Sequence, residues 1–268
     1  IVAFFFAFLA VREFYIFSDR QEDGRPFRGT GYFFAFLIIF LYYTNFLKAQ
    51  RIFDLPDAMK GLVNFLSPGF DLVILSFFAL FLVSFALQII KRPLDGAIFS
   101  VAATILGVLY VAVPFGHFIL LVSFPKGVYY IWAVSGITIF TDTGAYFGGR
   151  LLGRHPAGLK ISPKKTWEGY VSGVISAILF LYVLNFFWGK FSGEEPAFGM
   201  VESFFIALGF SVISVLGDLS ESAMKRDAKM KDSASLIPGH GGILDLIDAL
   251  LLTFPSMYYF VKIQEALL

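Results

Sequence analysis

The sequence contains no cysteine and little charge. Only 15% of its 268 residues are charged, while 57% are hydrophobic and 19% are aromatic; soluble domains carry roughly 25% charged residues. The absence of cysteine excludes disulfide bonds and zinc sites built from thiolates. The formal net charge of +1 points to no particular partner, and we expect no nucleic-acid partner. A composition this apolar is typical of a protein whose solvent is lipid.

Long runs without charge recur along the chain, near the roughly 20 apolar residues that a membrane-spanning helix needs. We predict spans at 1–17, 31–47, 72–90, 96–124, 128–147, 170–189, 203–217 and 243–261. The run 96–124 is long and contains Pro114 and Gly116, so it crosses the membrane either once or twice. The sequence therefore predicts an all-α polytopic integral membrane protein with eight or nine transmembrane helices.

The chain begins inside an apolar run, Ile1–Val11, without the basic leader or cleavage site of a signal peptide. We interpret this run as part of a membrane helix, and Ile1 need not be the first residue of the gene product. No Pro-rich or Ser-rich linker divides the chain. We expect N-terminal membrane helices at 1–90 and a membrane domain carrying most polar residues at 91–268.

The distribution of Lys and Arg predicts the orientation. If 96–124 crosses once, loops 18–29, 91–95, 149–167 and 218–242 share one side and carry 14 Lys or Arg, against six opposite. Cytoplasmic loops are enriched in these residues, so the side with 14 is expected to face the cytoplasm. Two polar loops, 141–169 and 218–248, stay together on one side in either topology.

The first polar segment, 141–169, combines an acid with several bases. Asp142 lies near the end of an apolar run, and a charge within the membrane usually marks a functional site. Lys164 and Lys165 precede the next span, where they either meet phosphates or serve as ordinary positive-inside anchors. Arg150 and Glu168 are further candidates in this segment.

The second polar segment, 218–248, contains three carboxylates near two predicted spans. Asp218 ends one span, while Asp245 and Asp248 begin the next and share one helix face, being three residues apart. Converging carboxylates repel each other unless a hard cation such as Mg²⁺ relieves the repulsion. We therefore predict that Asp218, Asp245 and Asp248 form a metal site.

Bases and glycines lie between these carboxylates. Lys225, Arg226 and Lys231 indicate a phosphorylated substrate, because bases neutralise phosphate oxygens. Glycines 241 and 242 let backbone amides approach an anion just before a helix, and His240 either donates to a phosphate or bonds its own loop. The pattern predicts metal-dependent phosphoryl or nucleotidyl transfer on a lipid, without identifying the nucleotide.

The same residues resemble the phosphatidate cytidylyltransferases, also called CDP-diacylglycerol synthases. Their C-terminal signature matches at Ser222, Lys225, Arg226, Lys231, Asp232, Ala234, Ile237, Pro238, His240, Gly241, Gly242, Asp245 and Asp248. Residues 142–150 and 161–169 also resemble the family. The resemblance covers about 130–262 well, and the N-terminal third only as generic membrane helices. One departure is Leu246, where the family pattern has Arg, and the missing cation is expected to lower activity or alter phosphate binding.

The resemblance implies an Mg²⁺-dependent enzyme of phospholipid biosynthesis that converts CTP and phosphatidic acid into CDP-diacylglycerol and pyrophosphate. A second cation and a homodimer are left open. The implied location is the bacterial inner membrane, with a cytoplasm-facing site in 91–268. The implied catalytic residues are Asp218, Asp245, Asp248, Lys225 and Arg226. The implied substrate-binding residues are Lys164, Lys165, Lys231, Asp232, His240, Gly241, Gly242, Asp142, Arg150, Glu168 and Ser222.

Two other interpretations stay open at this point. A CTP-using polyprenol-type lipid kinase has a similar acidic and glycine pattern. An ion-coupled transporter also carries intramembrane acids and glycine breaks, although here the acids gather near one face and no inverted repeat is visible. A Walker motif, a DDxxD run and the D-G-x2-A-R motif of CDP-alcohol phosphotransferases are absent.

Overall fold

The computed structural model of the protein describes residues 2–19, 24–49, 56–66, 71–230, 233 and 241–267. Within these ranges the chain forms helices and no β-sheet, which confirms the all-α prediction. The α-helices are α1 (Val2–Phe17), α2 (Arg28–Ala49), α3 (Asp57–Leu66), α4 (Leu72–Lys91), α5 (Ala97–Gly107), α6 (Val113–Leu121), α7 (Gly127–Leu152), α8 (Trp167–Ser192), α9 (Met200–Asp227) and α10 (Ile243–Leu267).

The lengths and composition of these helices confirm a polytopic membrane protein. In the described part of the chain, six helical stretches are long and apolar enough to cross a membrane: Arg28–Ala49, Leu72–Lys91, Ala97–Leu121, Trp167–Ser192, Met200–Asp227 and Ile243–Leu267. Two further predicted spans correspond to α1, which has 16 residues, and to the more polar α7, which has 26. The prediction of eight or nine spans is consistent with this set.

The run 96–124 forms one continuous helical stretch. A π-helical turn at Val108–Ala112 joins α5 to α6, and Pro114 follows at the start of α6. Proline has no N–H to donate to the carbonyl four residues earlier, and a π-turn is one way for a helix to continue past such a position. The 25 residues Ala97–Leu121 extend over about 38 Å, which is enough for one crossing and too short for two.

The two polar segments are more helical than expected, and the prediction of loops there was wrong in part. Helix α7 continues past Asp142 to Leu152, and α9 continues past Asp218 to Asp227. Asp218 therefore lies inside a helix and does not end it. The residues after Asp218 include Leu, Glu, Ala, Met, Lys and Arg, which have high helix propensity, so polarity alone does not terminate the helix.

The chain divides into two compact units, residues 1–123 with 227–247, and residues 124–226 with 248–268. We call them unit 1 and unit 2. The N-terminal division predicted at residue 90 stays a prediction.

Unit 1 packs its first helices around Tyr15, which is fully buried. The Tyr15 hydroxyl donates to the Thr104 carbonyl over 2.7 Å. Gly31 of α2 and Gly107 of α5 face the Tyr15 ring so closely that a methyl group on either would overlap it. These two glycines therefore let three helices meet at one aromatic ring.

Unit 2 is built on a close pairing of α7 with α8. Gly144 and Gly148 of α7 lie against Ser176 and Ser172 of α8, and Gly173 faces the Thr141 carbonyl. Small residues at four-residue spacing let membrane helices approach closely. Hydrogen bonds extend this pairing: Thr141 bonds Ser211 of α9 over 3.1 Å, and Thr138 bonds Thr253 of α10 over 3.3 Å. These contacts fix the helices that carry the charged residues of unit 2.

Candidate active site

Lys165 lies among three carboxylates in unit 2. Its ammonium forms an ion pair with Asp218, and the two side chains are 29% and 27% exposed. Burial lowers the pKa of the Lys165 ammonium, while the nearby carboxylates of Asp142 and Asp248 act in the opposite direction and raise it. One lysine from the α7–α8 loop therefore faces acids from α7, α9 and α10.

Close contact between α9 and α10 brings two of these acids together. A Cβ atom on Gly217 would lie 2.7 Å from the Ala249 Cα and 3.1 Å from the Asp248 carbonyl oxygen. Only glycine permits this approach without displacing backbone. Asp218 follows Gly217 directly, and Asp248 precedes Ala249, whose amide it accepts at 2.5 Å. Gly217 is thus a positioning residue that the sequence patterns did not reveal.

A second ion pair lies one turn along α9. Lys225 contacts Glu221 over 2.5 Å, and the Glu221 side chain is 0% exposed. Lys225 also interacts electrostatically with Asp248. Glu221 was missed in the sequence analysis, although its spacing of four residues from Lys225 is the usual signal of a helical ion pair.

We call these six residues the charge cluster: Asp142, Lys165, Asp218, Glu221, Lys225 and Asp248. It contains four acids and two bases, an excess of two negative charges when all are ionised. An excess of negative charge with only two bases attracts further cations. The cluster brings Asp142, Lys165, Lys225, Asp218 and Asp248 of the predicted site into one electrostatic group.

Four other predicted residues have different surroundings. Glu168 accepts a hydrogen bond from the His155 ring at 2.5 Å at the start of α8. Arg150 is exposed and donates to the Tyr146 hydroxyl over 3.2 Å, and Arg226 donates to the Ile161 carbonyl at 3.5 Å. Lys164 is exposed beside the half-buried Lys165. Their contact with a substrate stays a prediction, as does that of the partly buried Ser222 on α9.

The start of α10, in unit 1, satisfies its backbone amides with carboxylates. Asp245 accepts the Gly242 amide at 2.6 Å, the Ser233 amide at 3.0 Å and the Ser233 hydroxyl at 2.8 Å. Glu13 of α1 accepts the amides of Ile243 at 3.0 Å and Leu244 at 2.8 Å.

The amides of Gly242, Ile243 and Leu244 are thus donated within the protein. Anion binding by Gly242 and by Gly241, which has φ +88°, stays a prediction. Lys231, Asp232 and His240 lie outside the described residues, so their roles stay predictions too.

No group of three or more His, Cys, Asp or Glu side chains among the described residues is arranged to hold a metal ion. In unit 2 the Lys165 ammonium lies where acids from three helices meet, and in unit 1 Asp245 is engaged by Ser233 and Gly242. The predicted metal site at Asp218, Asp245 and Asp248 stays a prediction.

The fold and the charge cluster define an α-helical membrane protein whose helices carry paired acids and bases. Comparison with known proteins identifies its family. A model of the cytidylyltransferase family matches residues 1–264. The chain belongs to this family. The match extends through the N-terminal third, which the sequence analysis assigned only as generic membrane helices.

Several relatives carry the name phosphatidate cytidylyltransferase. The chain is 30% identical to the one from Rickettsia bellii over 204 residues, which cover 75% of this chain and 87% of that protein. It is 42% identical to the Haemophilus influenzae protein over 120 residues, 44% of this chain and 41% of the relative. For the Bacillus subtilis protein the identity is 34% over 159 residues, 59% and 57% of the two chains. The matched part thus spans less than two thirds of the latter two relatives.

Proposed function

We propose that this protein transfers the cytidylyl group of CTP to phosphatidic acid, producing CDP-diacylglycerol and pyrophosphate. The observation that carries the proposal is the charge cluster, whose acids and bases lie on three helices and the α7–α8 loop of a cytidylyltransferase-family membrane protein. Relatives at 30% to 42% identity are named phosphatidate cytidylyltransferase. Bases able to reach phosphates beside clustered carboxylates are what nucleotidyl transfer requires.

The reaction joins two phosphorus centres without an external base. A phosphate oxygen of phosphatidic acid attacks the α-phosphorus of CTP, and a new P–O bond forms. The bond between the α-phosphorus and the bridging oxygen breaks, and pyrophosphate leaves with that electron pair. A phosphate monoester is already largely ionised near pH 7, so the protein contributes positioning and charge stabilisation.

The bases of the charge cluster supply this stabilisation. Lys165 and Lys225 are already ion-paired with Asp218 and Glu221, so each ammonium is held in place before a substrate arrives. When a substrate phosphate approaches, it takes the place of the Asp218 carboxylate beside the Lys165 ammonium. The lysine therefore has an anionic partner both before and after the substrate binds. Arg226 and Lys164, both exposed, are the next bases able to meet the triphosphate.

We propose that Mg²⁺ is required. The carboxylate oxygens of Asp218 and Asp248 are the donors that hard cations prefer, and the cluster holds four acids against two bases. When bound, Mg²⁺ would neutralise phosphate oxygens and favour departure of pyrophosphate. Asp245 already accepts three hydrogen bonds, so these two aspartates fit the ion better than Asp245 does.

The proposed location is a bacterial cytoplasmic membrane with the charge cluster accessible from the cytoplasm, where CTP is available. The excess of Lys and Arg in loops 18–29, 91–95, 149–167 and 218–242 supports this orientation, with 14 such residues.

A product assay on the detergent-purified chain tests the proposal. With CTP labelled at the α-phosphorus, phosphatidic acid and Mg²⁺, we expect label in a CDP-lipid and one pyrophosphate per lipid formed. Release of CDP with a phosphorylated lipid would instead identify a lipid kinase. Ion flux in vesicles without any CTP turnover would identify a transporter.

Lys190→Gln supplies a matched control for loss of a lysine in unit 2, because Lys190 lies at the far end of α8 over the Phe186 ring. We expect this variant to retain turnover.

A further inference from the structure

Glu13 is a fully buried carboxylate in an apolar helix. Its side chain is 0% exposed, and it accepts the Ile243 amide at 3.0 Å and the Leu244 amide at 2.8 Å. The Ser233 hydroxyl lies 3.1 Å from Glu13 and 2.8 Å from Asp245, so its one hydrogen is shared between the two carboxylates. A buried carboxylate is costly unless donors surround it, and three donors surround this one. Its neighbour Arg12 is exposed, so of these two adjacent charged residues only Glu13 is buried.

The donors to Glu13 are the first amides of α10, which have no partner inside the helix. Gly242 precedes α10 and has no side chain to accept them, whereas Ser, Thr, Asp or Asn at this position usually does. Asp245, at the third helical position, accepts the Gly242 amide at 2.6 Å, which is one half of a capping box. Glu13, from a different helix, accepts the amides of Ile243 and Leu244, the first two helical positions.

Glu13 and a side chain at residue 242 compete for one space. A Cβ atom on Gly242 would overlap the Glu13 carboxylate and the Ser233 hydroxyl. Gly242 does not have a positive φ, unlike Gly241, so its backbone would accept another residue if the space were free. A conventional cap at residue 242 therefore needs the space of the Glu13 carboxylate and a rotation of the Ser233 hydroxyl, which would overlap the added Cβ.

We propose that Glu13 is a positioning residue for catalysis, which fixes the first turn of α10 and the orientation of Asp245 on it. This inference rests on the proposed function. Without Glu13 the Ile243 and Leu244 amides lose their acceptor, and the first turn of α10 opens. Ser233 then loses one of the two carboxylates between which its hydroxyl lies, Glu13 and Asp245.

The test is a double-mutant cycle of Glu13→Ala and Gly242→Ser. Glu13→Ala is expected to lower kcat about 10- to 100-fold, because small displacements of catalytic groups have effects of this size, with the KM for CTP changed less than about twofold. Gly242→Ser alone also lowers kcat because of the overlap. Together they restore kcat above that of Glu13→Ala, since the serine replaces the missing acceptor. Losses that simply add in the double variant would overturn the inference.

Hydrogen–deuterium exchange of peptides covering 243–248 gives a readout independent of turnover. Exchange is expected to rise in Glu13→Ala and fall again in the double variant. Glu13→Gln keeps the size of the side chain but turns an amide group toward N–H donors, so it serves if Glu13→Ala does not fold. Unchanged exchange in a folded Glu13 variant would contradict the inference.

Asp71→Ala is the matched control. Asp71 accepts the amides of Val73 at 2.8 Å and Ile74 at 3.3 Å at the start of α4, a helix without predicted site residues. Its loss is expected to raise exchange near residues 72–76 and to leave kcat unchanged. If the wild-type chain forms no CDP-lipid but hydrogen–deuterium exchange changes in the variants as expected, the proposed function is overturned. The role of Glu13 at the start of α10 would still stand.

Discussion

The two units pair their carboxylates by different means. In unit 2 the carboxylates of Asp218 and Glu221 are matched by the ammonium groups of Lys165 and Lys225. In unit 1 those of Glu13 and Asp245 are matched by backbone amides at the start of α10. A lysine side chain moves by rotating its own bonds, but an amide moves only if the helix opens. The charge cluster is therefore suited to exchanging partners with a ligand, and the α10 start is suited to holding a fixed shape.

Removing Asp218 should have the largest effect on turnover. Asp218→Asn keeps the size of the side chain but removes the charge that pairs with Lys165. We expect CDP-lipid formation to fall about 100- to 1,000-fold, the size of effect seen when one electrostatic contact at a reacting centre is lost. The measurement is the initial rate with saturating CTP and phosphatidic acid. A rate close to that of the Lys190→Gln control would mean that Asp218 has no part in the reaction.

Removing Lys165 tests whether the cluster exchanges a lysine for a metal ion. In Lys165→Gln the acids of α7, α9 and α10 lose the base they share, so we expect turnover to fall about 10- to 100-fold and the melting temperature to drop near pH 7. Added Mg²⁺ should raise the melting temperature of this variant more than that of the wild type, because the ion takes the place of the ammonium.

The Lys165 experiment is read from thermal unfolding with and without Mg²⁺ at constant ionic strength. If Ca²⁺ and NaCl of matched ionic strength raise the melting temperature as much as Mg²⁺ does, the effect is general screening of the carboxylates and not a bound Mg²⁺ ion. An equal rise in melting temperature with Mg²⁺ in Lys165→Gln and in the wild type would contradict replacement of the Lys165 ammonium by the ion.

Gly217 tests the helix contact beneath the cluster. A methyl group there would lie 2.7 Å from the Ala249 Cα, so Gly217→Ala should destabilise the fold by about 1–3 kcal/mol, as overpacking does. Gly209→Ala lies on the same helix with nothing within 4 Å of the added methyl group. This control should be neutral or stabilising by up to about 1 kcal/mol. Denaturation of both variants provides the comparison, and equal stabilities would mean that α9 and α10 separate easily.

Leu246 should give the smallest effect. It stands where the family pattern has Arg, and its side chain is 54% exposed, so Leu246→Arg needs no space in the core. We expect a few-fold rise in kcat/KM for CTP with little change in stability, because a guanidinium adds a phosphate contact. A Leu246→Gln variant separates charge from polarity. A fall in kcat/KM for Leu246→Arg would show that this chain has adapted to the leucine.

Sequence reasoning identified the membrane helices because long apolar runs are a local signal. Charges in or beside such runs are rare, which singled out Asp142, Asp218 and Asp248, and nearby bases able to meet phosphates singled out Lys165 and Lys225. The ends of α7 and α9 were predicted too early. Helix-forming residues continue α9 beyond Asp218, and α7 continues to Leu152 through glycines that pack against α8.

The missed residues depend on three-dimensional packing to different degrees. Glu221 had a local signal in its spacing from Lys225. Gly217 matters only because Ala249 approaches it, and Glu13 only because α10 begins beside it. Contacts between residues 230 positions apart have no signature in a single sequence.

The cap that Glu13 provides has a consequence for the order of synthesis. Glu13 is made 230 residues before Ile243, and at about 5–20 residues per second the interval is about 10–50 s. During that time α1 holds an acid whose insertion into a membrane costs about 2.5–3.5 kcal/mol, without the amides that later receive it. Helix α1 therefore completes its contacts only after α10 has been made, and a chain truncated before α10 should leave α1 exposed to quality control.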